Sequence, residues 1–80
     1  MNSNKIGKNV TTIGKSAFAG DKKLKSITFT GNTLSKIGND TWKNIYKKAV
    51  FYVPKKKKAM YKKLLSKKTG YVTGMKINGK

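Results

Sequence analysis

The apolar positions of the chain recur with a fixed spacing. When each residue is placed over the residue 24 positions later, residues of similar type meet: aliphatic, glycine, aromatic and strand-forming. The matched pairs are Val10 with Leu34, Ile13 with Ile37, Gly14 with Gly38, Phe18 with Trp42, Ile27 with Phe51, and Phe29 with Val53. A period of roughly 20 to 30 residues is typical of a solenoid, in which each short unit buries its apolar face against its neighbours. Residues 10–29 are therefore predicted to be one complete repeat unit, followed by a second copy.

Within this unit the pattern predicts an extended segment, a bend, one helical turn and a strand. Ser16 is expected to cap the helical turn, and Gly20 is expected to end it in the left-handed conformation that glycine adopts without penalty. Phe18, between them, is the predicted core aromatic residue, and Asp40 takes the capping position in the second unit. In residues 24–29 apolar and polar side chains alternate, which indicates a half-buried strand.

The second unit follows the same order less regularly. Its strand is predicted at residues 50–53. Lys48 falls in the place that Leu24 holds in the first unit, and a lysine is a poor core residue. Ile45 and Ala49 are therefore expected to fill this space.

The amino-terminal residues do not fit the repeat. Residues 1–9 are mostly polar, and stepping back by one repeat from Ile27 and Phe29 leads to Ser3 and Lys5, which cannot make a buried strand. Residues 1–9 are therefore predicted to be a linker, or an artificial start joined to an excised fragment. The first unit would then present an open edge that an upstream unit covers in a longer protein.

The carboxy-terminal part is predicted to be a cap. Pro54 closes the second strand, because it has no amide proton to donate. Residues 55–68 are predicted to form a helix whose apolar arc consists of Met60, Tyr61, Leu64 and Leu65. Gly70 suits the end of this helix.

A last strand is predicted at residues 71–77. Met75 and Ile77 lie one repeat after Phe51 and Val53, so the helix would deliver this strand in register with the repeat. A terminal segment with a polar outer face is the usual way to close a solenoid.

The repeat resembles that of the BspA-type leucine-rich repeat proteins, which are surface proteins of bacteria and some protists. The residues that carry the resemblance are VTTIGKSAFAG at 10–20, Leu24, Ile27 and Phe29, then Ile37, Gly38, Trp42, Val53 and Pro54, and the terminal run Tyr61, Leu64 and Leu65. The resemblance covers about residues 10–77. Asp21, Ile45 and Thr30 depart from the family's usual residues at their positions, which affects packing at the turns.

The resemblance implies an α+β fold: a short leucine-rich-repeat solenoid with about three stacked short strands, short helical turns and a C-terminal capping helix. The predicted organisation is residues 1–9 as linker, 10–54 as two leucine-rich repeats, and 55–80 as the cap, with its helix at 55–68 and its last strand at 71–77. The resemblance further implies a non-enzymatic adhesion or protein-binding module, a fragment of a longer bacterial protein displayed outside the cell.

The charge of the chain suggests a second partner. Twenty basic residues stand against two acidic ones, for a formal net charge of +18, and all the basic residues are lysine. Lysine lacks the bidentate fork with which arginine recognises phosphates and bases, so the excess indicates a diffuse positive field. The field either keeps the surface solvated or binds a polyanion such as a cell-wall polymer, a glycosaminoglycan or nucleic acid. The candidate anion-binding residues are Lys55, Lys56, Lys57, Lys58, Lys62, Lys63, Lys67 and Lys68.

The composition argues against catalysis. The chain has no His, Cys or Glu, which removes the usual general bases, thiol nucleophiles and metal-site combinations. Asp21 and Asp40 are expected to be a turn residue and a cap. No catalytic residue, metal or cofactor is predicted.

The predicted sheet offers a candidate contact surface. Tyr52 points away from the buried side of its strand, and Lys25 and Thr28 are expected to share that exposed sheet face. Trp42 and Tyr61 are predicted core residues, and the position of Tyr46 stays open. No apolar run is long enough to be a membrane span or a signal segment, so an extracellular location would require a targeting segment outside residues 1–80.

Overall fold

A computed structural model describes residues 3–31 and 34–79 of the chain. The strands are β1 (Ser3–Ile6), β2 (Thr12–Ile13), β3 (Ser26–Phe29), β4 (Lys36–Ile37), β5 (Val50–Val53) and β6 (Lys76–Gly79). One α-helix, α1 (Lys58–Leu64), lies between short 3-10 helices at Lys55–Lys57 and Lys67–Thr69. Short strands in a sheet together with one short helix are compatible with the predicted α+β repeat fold.

All strand pairs in the described residues are parallel. The larger sheet has the order β1-β3-β5-β6, and β2 pairs with β4 in a separate two-stranded sheet. Ile27 of β3 lies opposite Phe51 of β5, and Ile13 of β2 lies opposite Ile37 of β4. Both pairs join residues that are one full repeat apart, so the spacing of apolar residues reports how the units stack.

The segments between the small and the large sheet are stacked turns. Backbone N–H groups of the first unit donate to carbonyl groups of the second: Ser16 to Asn39 at 3.0 Å, Phe18 to Thr41 at 3.1 Å, and Gly20 to Lys43 at 2.8 Å. The second unit donates in the same direction to the cap, from Asp40 to Lys68 at 2.8 Å and from Trp42 to Thr69 at 2.7 Å. These bonds between units satisfy backbone groups that a helix would satisfy internally.

The predicted helical turns are therefore wrong. Ser16 and Asp40 have φ values of 57° and 60°, whereas a capping residue at the start of a helix has an extended backbone. Gly20 does adopt the predicted left-handed conformation, with φ 83°, and Asn44 occupies the same place in the second unit with φ 63°. The local residues favour a turn here, but bonding to the neighbouring unit decides its form.

The interpretation of residues 1–9 as a linker is wrong for Ser3–Ile6, which form β1. Ile6 lies opposite Phe29, one position short of the full repeat that separates paired residues in β3 and β5. This shorter spacing places Ile6 beside the buried Phe29, and the Ile6 side chain is itself only 8% exposed. A constant spacing of one full repeat would have placed Lys5 opposite Phe29 instead.

The cap also differs in its details from the prediction. The α-helix ends at Leu64, and Leu65 has φ −85° and ψ 68°, so the helix predicted at residues 55–68 is interrupted. The last strand lies at Lys76–Gly79, and Ile77, not Met75, pairs with Phe51. A shift of two positions preserves which side chains face the core, because side chains alternate along a strand.

The core joins both units and the cap. Trp42 and Phe51 are fully buried, and their ring centroids lie 5.1 Å apart. Phe18 stacks on Trp42 at 5.2 Å but is only partly buried. Ile45 and Ala49 are buried, as expected from their proposed role in filling the space that Lys48 leaves. Trp42, the larger aromatic residue of the second unit, thus contacts aromatic rings of both units.

Candidate functional site

The outer side of the larger sheet presents two rows of side chains. One row crosses the four strands at Lys5, Thr28, Tyr52 and Asn78, and the other at Ser3, Ser26, Val50 and Lys76. In β3 and β5 the residues of these rows are half-buried and alternate with fully buried ones. We call this surface the sheet face. It is polar and carries one aromatic ring.

The structure brings together two of the three residues predicted for this face. Thr28 and Tyr52 lie directly opposite each other on β3 and β5. Lys25 lies just before β3, outside the strand, and is exposed. Its ammonium nitrogen lies 5.4 Å from the centroid of the Tyr46 ring, at the distance of a cation–π contact. The grouping of Lys25 with the sheet face stays a prediction.

The predicted anion-binding lysines are spread over the cap. Seven of the eight are exposed and Lys58 is half-buried. Lys55, Lys56 and Lys57 line a shallow depression together with Lys8 of the loop after β1. Sequence reasoning does not identify Lys8 as part of this group, because it lies in the predicted linker. Pairing residues 3–6 with β3 at a spacing one residue shorter than the repeat would have indicated a strand there and placed Lys8 in the loop after it.

A second depression lies between the turn of the second unit and the loop of the cap. We call it the cap groove, and its volume is about 690 Å³. Its apolar residues are Trp42, Ile45, Tyr46, Val72 and Met75, and its lysines are Lys22, Lys47 and Lys48. The sequence holds one signal for it: Ile45 and Tyr46 stand where the first unit has Asp21 and Lys22. No pattern in the sequence indicated that the cap would bring Val72 to the same place.

Tyr61 of α1 connects the cap to the first unit. Its hydroxyl donates to the carbonyl of Gly31 at 2.5 Å, and its ring lies 4.8 Å from that of Phe29. Burial raises the pKa of the Tyr61 hydroxyl above its usual value, because the charged phenolate is poorly solvated there. Tyr61 is a packing residue, as predicted.

The described residues offer neither a metal site nor a membrane span. Residues 3–31 and 34–79 hold no group of three or more His, Cys, Asp or Glu side chains that could bind a metal ion. In the same residues no helix has both the length and the apolar character needed to cross a membrane.

Comparison with known proteins gives one result. A family model described as "BspA type Leucine rich repeat region (6 copies)" matches residues 1–76, nearly the whole chain. The match includes the residues of β1, which pair with the first repeat strand. No curated protein and no solved structure matches the chain.

Proposed function

Because the chain belongs to the BspA-type leucine-rich repeat family, we propose that it is an interaction module that binds a protein ligand through the sheet face. Proteins of this family are generally associated with the bacterial surface, and their repeats typically serve protein interaction without catalysis. The specific role proposed here is adhesion by a module displayed outside the cell.

The continuous sheet face carries this proposal. Thr28 and Tyr52 lie side by side, flanked by Lys5 and Asn78 on the outer strands. Their hydroxyl, amide and ammonium groups offer both donors and acceptors. Tyrosine is enriched at protein interfaces, because it combines a large apolar ring with a polar end.

The size of the sheet face sets the strength of binding that it can support. Four strands of four residues span about 14 by 13 Å, on the order of 200 Å². A stable protein interface buries about 800 Å² on each partner. The sheet face alone is thus expected to give a weak contact, and tighter binding requires adjoining surface.

A cell-binding assay tests this function. Labelled chain is added to intact bacterial and cultured epithelial cells, before and after the cells are treated with protease. We expect saturable binding that protease removes and that Tyr52→Ser weakens about tenfold, a loss typical of an interface tyrosine. The comparison variant carries Lys62→Ser and Lys63→Ser on α1, away from the sheet face. Binding that resists protease, or that only the lysine variant weakens, would contradict the proposal.

A second candidate function is binding of a polyanion through the lysines of the cap. It is favoured by the convergence of Lys8 with Lys55, Lys56 and Lys57 around one depression. Both acidic residues, Asp21 and Asp40, belong to the turns and not to this depression. The lysines act here as point charges that release counterions from the ligand.

Heparin, single-stranded nucleic acid and teichoic acid are suitable probes for the second candidate. Contact through six or more lysines should weaken by about 10³-fold or more as salt rises from about 50 to about 200 mM. Replacing Lys55, Lys56 and Lys57 by Gln should reduce the slope of this dependence by about 3. Binding that survives high salt would exclude the lysine-driven mode.

A further inference from the structure

The exposed large apolar side chains of the described residues lie together in the cap groove. They are Tyr46 and Val72, which are 39% and 47% exposed. Tyr46 belongs to the second unit and Val72 to the cap, and both line the same depression. Single exposed apolar residues are common, but their convergence on a concave surface is typical of a binding site.

A buried donor without an acceptor lies in the same groove. Trp42 also lines it, and its ring is fully buried against Phe51. Its indole N–H is the one buried side-chain polar group in residues 3–31 and 34–79 that lacks a hydrogen-bond partner. A buried tryptophan N–H normally finds an acceptor, and one without an acceptor is unfavourable. Because the Trp42 side chain is 0% exposed, this N–H lies beneath the surface of the groove, and the tryptophan serves as a reporter of binding.

The charges around the groove determine what kind of ligand fits. Lys22, Lys47 and Lys48 are exposed along it, and its lining contains no acidic residue. A ligand therefore gains from carrying negative charge and an apolar group. The volume of about 690 Å³ lies within the range of roughly 300 to 1,000 Å³ that is typical of ligand sites.

The groove is specific to the junction between the second unit and the cap. Gly70 brings the cap loop close to the turn that holds Trp42: a Cβ at position 70 would lie 2.5 Å from the backbone nitrogen of Lys43. The first unit has no equivalent, because Asp21 and Lys22 occupy the places of Ile45 and Tyr46. The first unit thus stacks on the second with a lysine at the position of Tyr46, so an exposed aromatic ring is not needed for repeat stacking.

We propose that the cap groove binds an acidic peptide segment with one large apolar side chain. The apolar side chain lies between Tyr46 and Val72, and the flanking carboxylates contact the lysines. An open groove with an apolar centre and flanking cations suits a peptide, which can carry an apolar side chain between acidic ones. This inference rests on the proposed role in protein recognition, but it uses a different surface from the sheet face.

Trp42 makes the test direct, because it is the only tryptophan in the chain and lies in the groove. Its fluorescence is followed during titration with the blocked peptide Asp-Asp-Phe-Asp-Asp. We expect a saturable change in emission. The peptide Asp-Asp-Ser-Asp-Asp should bind at least about tenfold more weakly, and Lys-Lys-Phe-Lys-Lys should give no change, because the first lacks the apolar anchor and the second is repelled.

Variants then locate the site. Tyr46→Ser and Val72→Ser should each weaken the acidic peptide about tenfold, whereas Tyr46→Phe, which keeps the ring, should bind within about twofold of the parent chain. Lys47→Gln with Lys48→Gln should weaken it more than Lys15→Gln with Lys36→Gln, an equal loss of charge at exposed positions elsewhere. Melting curves confirm that each variant is folded.

Several results would overturn the inference. Equal weakening by the two lysine pairs would mean that the peptide responds only to net charge, and unchanged binding by Val72→Ser would place it outside the groove. These results can be distinguished from a failure of the function proposed for the sheet face. If the acidic peptide does not bind while Tyr52→Ser still weakens cell binding about tenfold, the groove proposal is wrong and the proposed function stands. If the acidic peptide binds in the groove while Tyr52→Ser leaves cell binding unchanged, the groove proposal stands and the role of the sheet face is wrong.

Discussion

At the scale of single residues, the aromatic contacts around Trp42 determine which substitutions are costly. Trp42 is fully buried and Phe18, stacked upon it, is only partly buried. We expect Trp42→Ala to lower the free energy of unfolding by about 3–5 kcal/mol and Phe18→Ala by about 1–2 kcal/mol. The first loss is a large share of the roughly 5–15 kcal/mol that stabilises a small domain. Urea denaturation followed by circular dichroism measures both, and equal losses would contradict the central place of Trp42.

The paired glycines at the start of each turn provide a matched comparison. A Cβ on Gly38 would meet the backbone of Gly14 and Lys15, whereas a Cβ on Gly14 would meet nothing within 4 Å. Gly38→Ala is therefore expected to destabilise the chain by about 1–3 kcal/mol, since backbone atoms cannot move aside. Gly14→Ala should stay within about 0.5 kcal/mol. A similar loss in both would indicate that turn conformation, not close stacking, requires these glycines.

The buried hydroxyl of Tyr61 predicts a dependence on alkaline pH. Burial raises its pKa above 10.0 in the folded chain. The stability that this group contributes is therefore complete below the unfolded pKa of about 10 and is lost as pH rises through the folded pKa.

Comparison with Tyr61→Phe isolates this effect, because the two chains differ only in this hydroxyl. At neutral pH the variant should be less stable by about 0.5–1.5 kcal/mol, since it loses the hydrogen bond to Gly31. Above about pH 10 the difference should shrink. Thermal melts at a series of pH values measure it, and a difference that stays constant would contradict the burial of the hydroxyl.

At the scale of elements, alternation and spacing sufficed to predict the strands of the two units. Ile27 and Phe51 were placed correctly because a buried strand position tolerates only apolar side chains. The turns could not be predicted in the same way. Ser16 and Asp40 have the composition of helix caps, but their backbone N–H groups bond to the neighbouring unit, and no local pattern contains that partner.

The two errors at the ends of the sheet have one cause, the assumption of a constant step. The spacing between paired residues of β1 and β3 is shorter than the repeat, and the spacing between those of β5 and β6 is longer. The connecting segments differ in length, but each strand must still turn its apolar side chains to the core. Ile6 was consequently overlooked, and Met75 was predicted at the strand position that Ile77 occupies.

Strand β1 can be tested by a pair of neighbouring substitutions. Ile6 faces the core and Lys5 faces solvent. We expect Ile6→Ala to cost about 2 kcal/mol and Lys5→Ala to stay within about 0.5 kcal/mol in urea denaturation. Were residues 1–9 a linker, both changes would be neutral.

At the scale of the whole molecule, the candidate sites depend on contacts between distant parts of the chain. Thr28 and Tyr52 could be predicted as neighbours because the repeat spacing sets strand register. The cap groove could not, because it forms only where the loop carrying Val72 lies against the turn carrying Tyr46. The net charge of +18 follows directly from the sequence. Charge alone, however, does not show whether the lysines only keep the surface solvated or also bind a polyanion.

The salt dependence of cell binding tests most directly whether the molecule recognises a protein or only a charge. Binding of the labelled chain to intact cells is measured from about 50 to about 500 mM salt, where a lysine-driven contact loses several orders of magnitude in affinity. Recognition through the sheet face predicts a loss of less than about tenfold over this range. A fall of about 10³-fold or more would contradict it and assign the binding to the lysines.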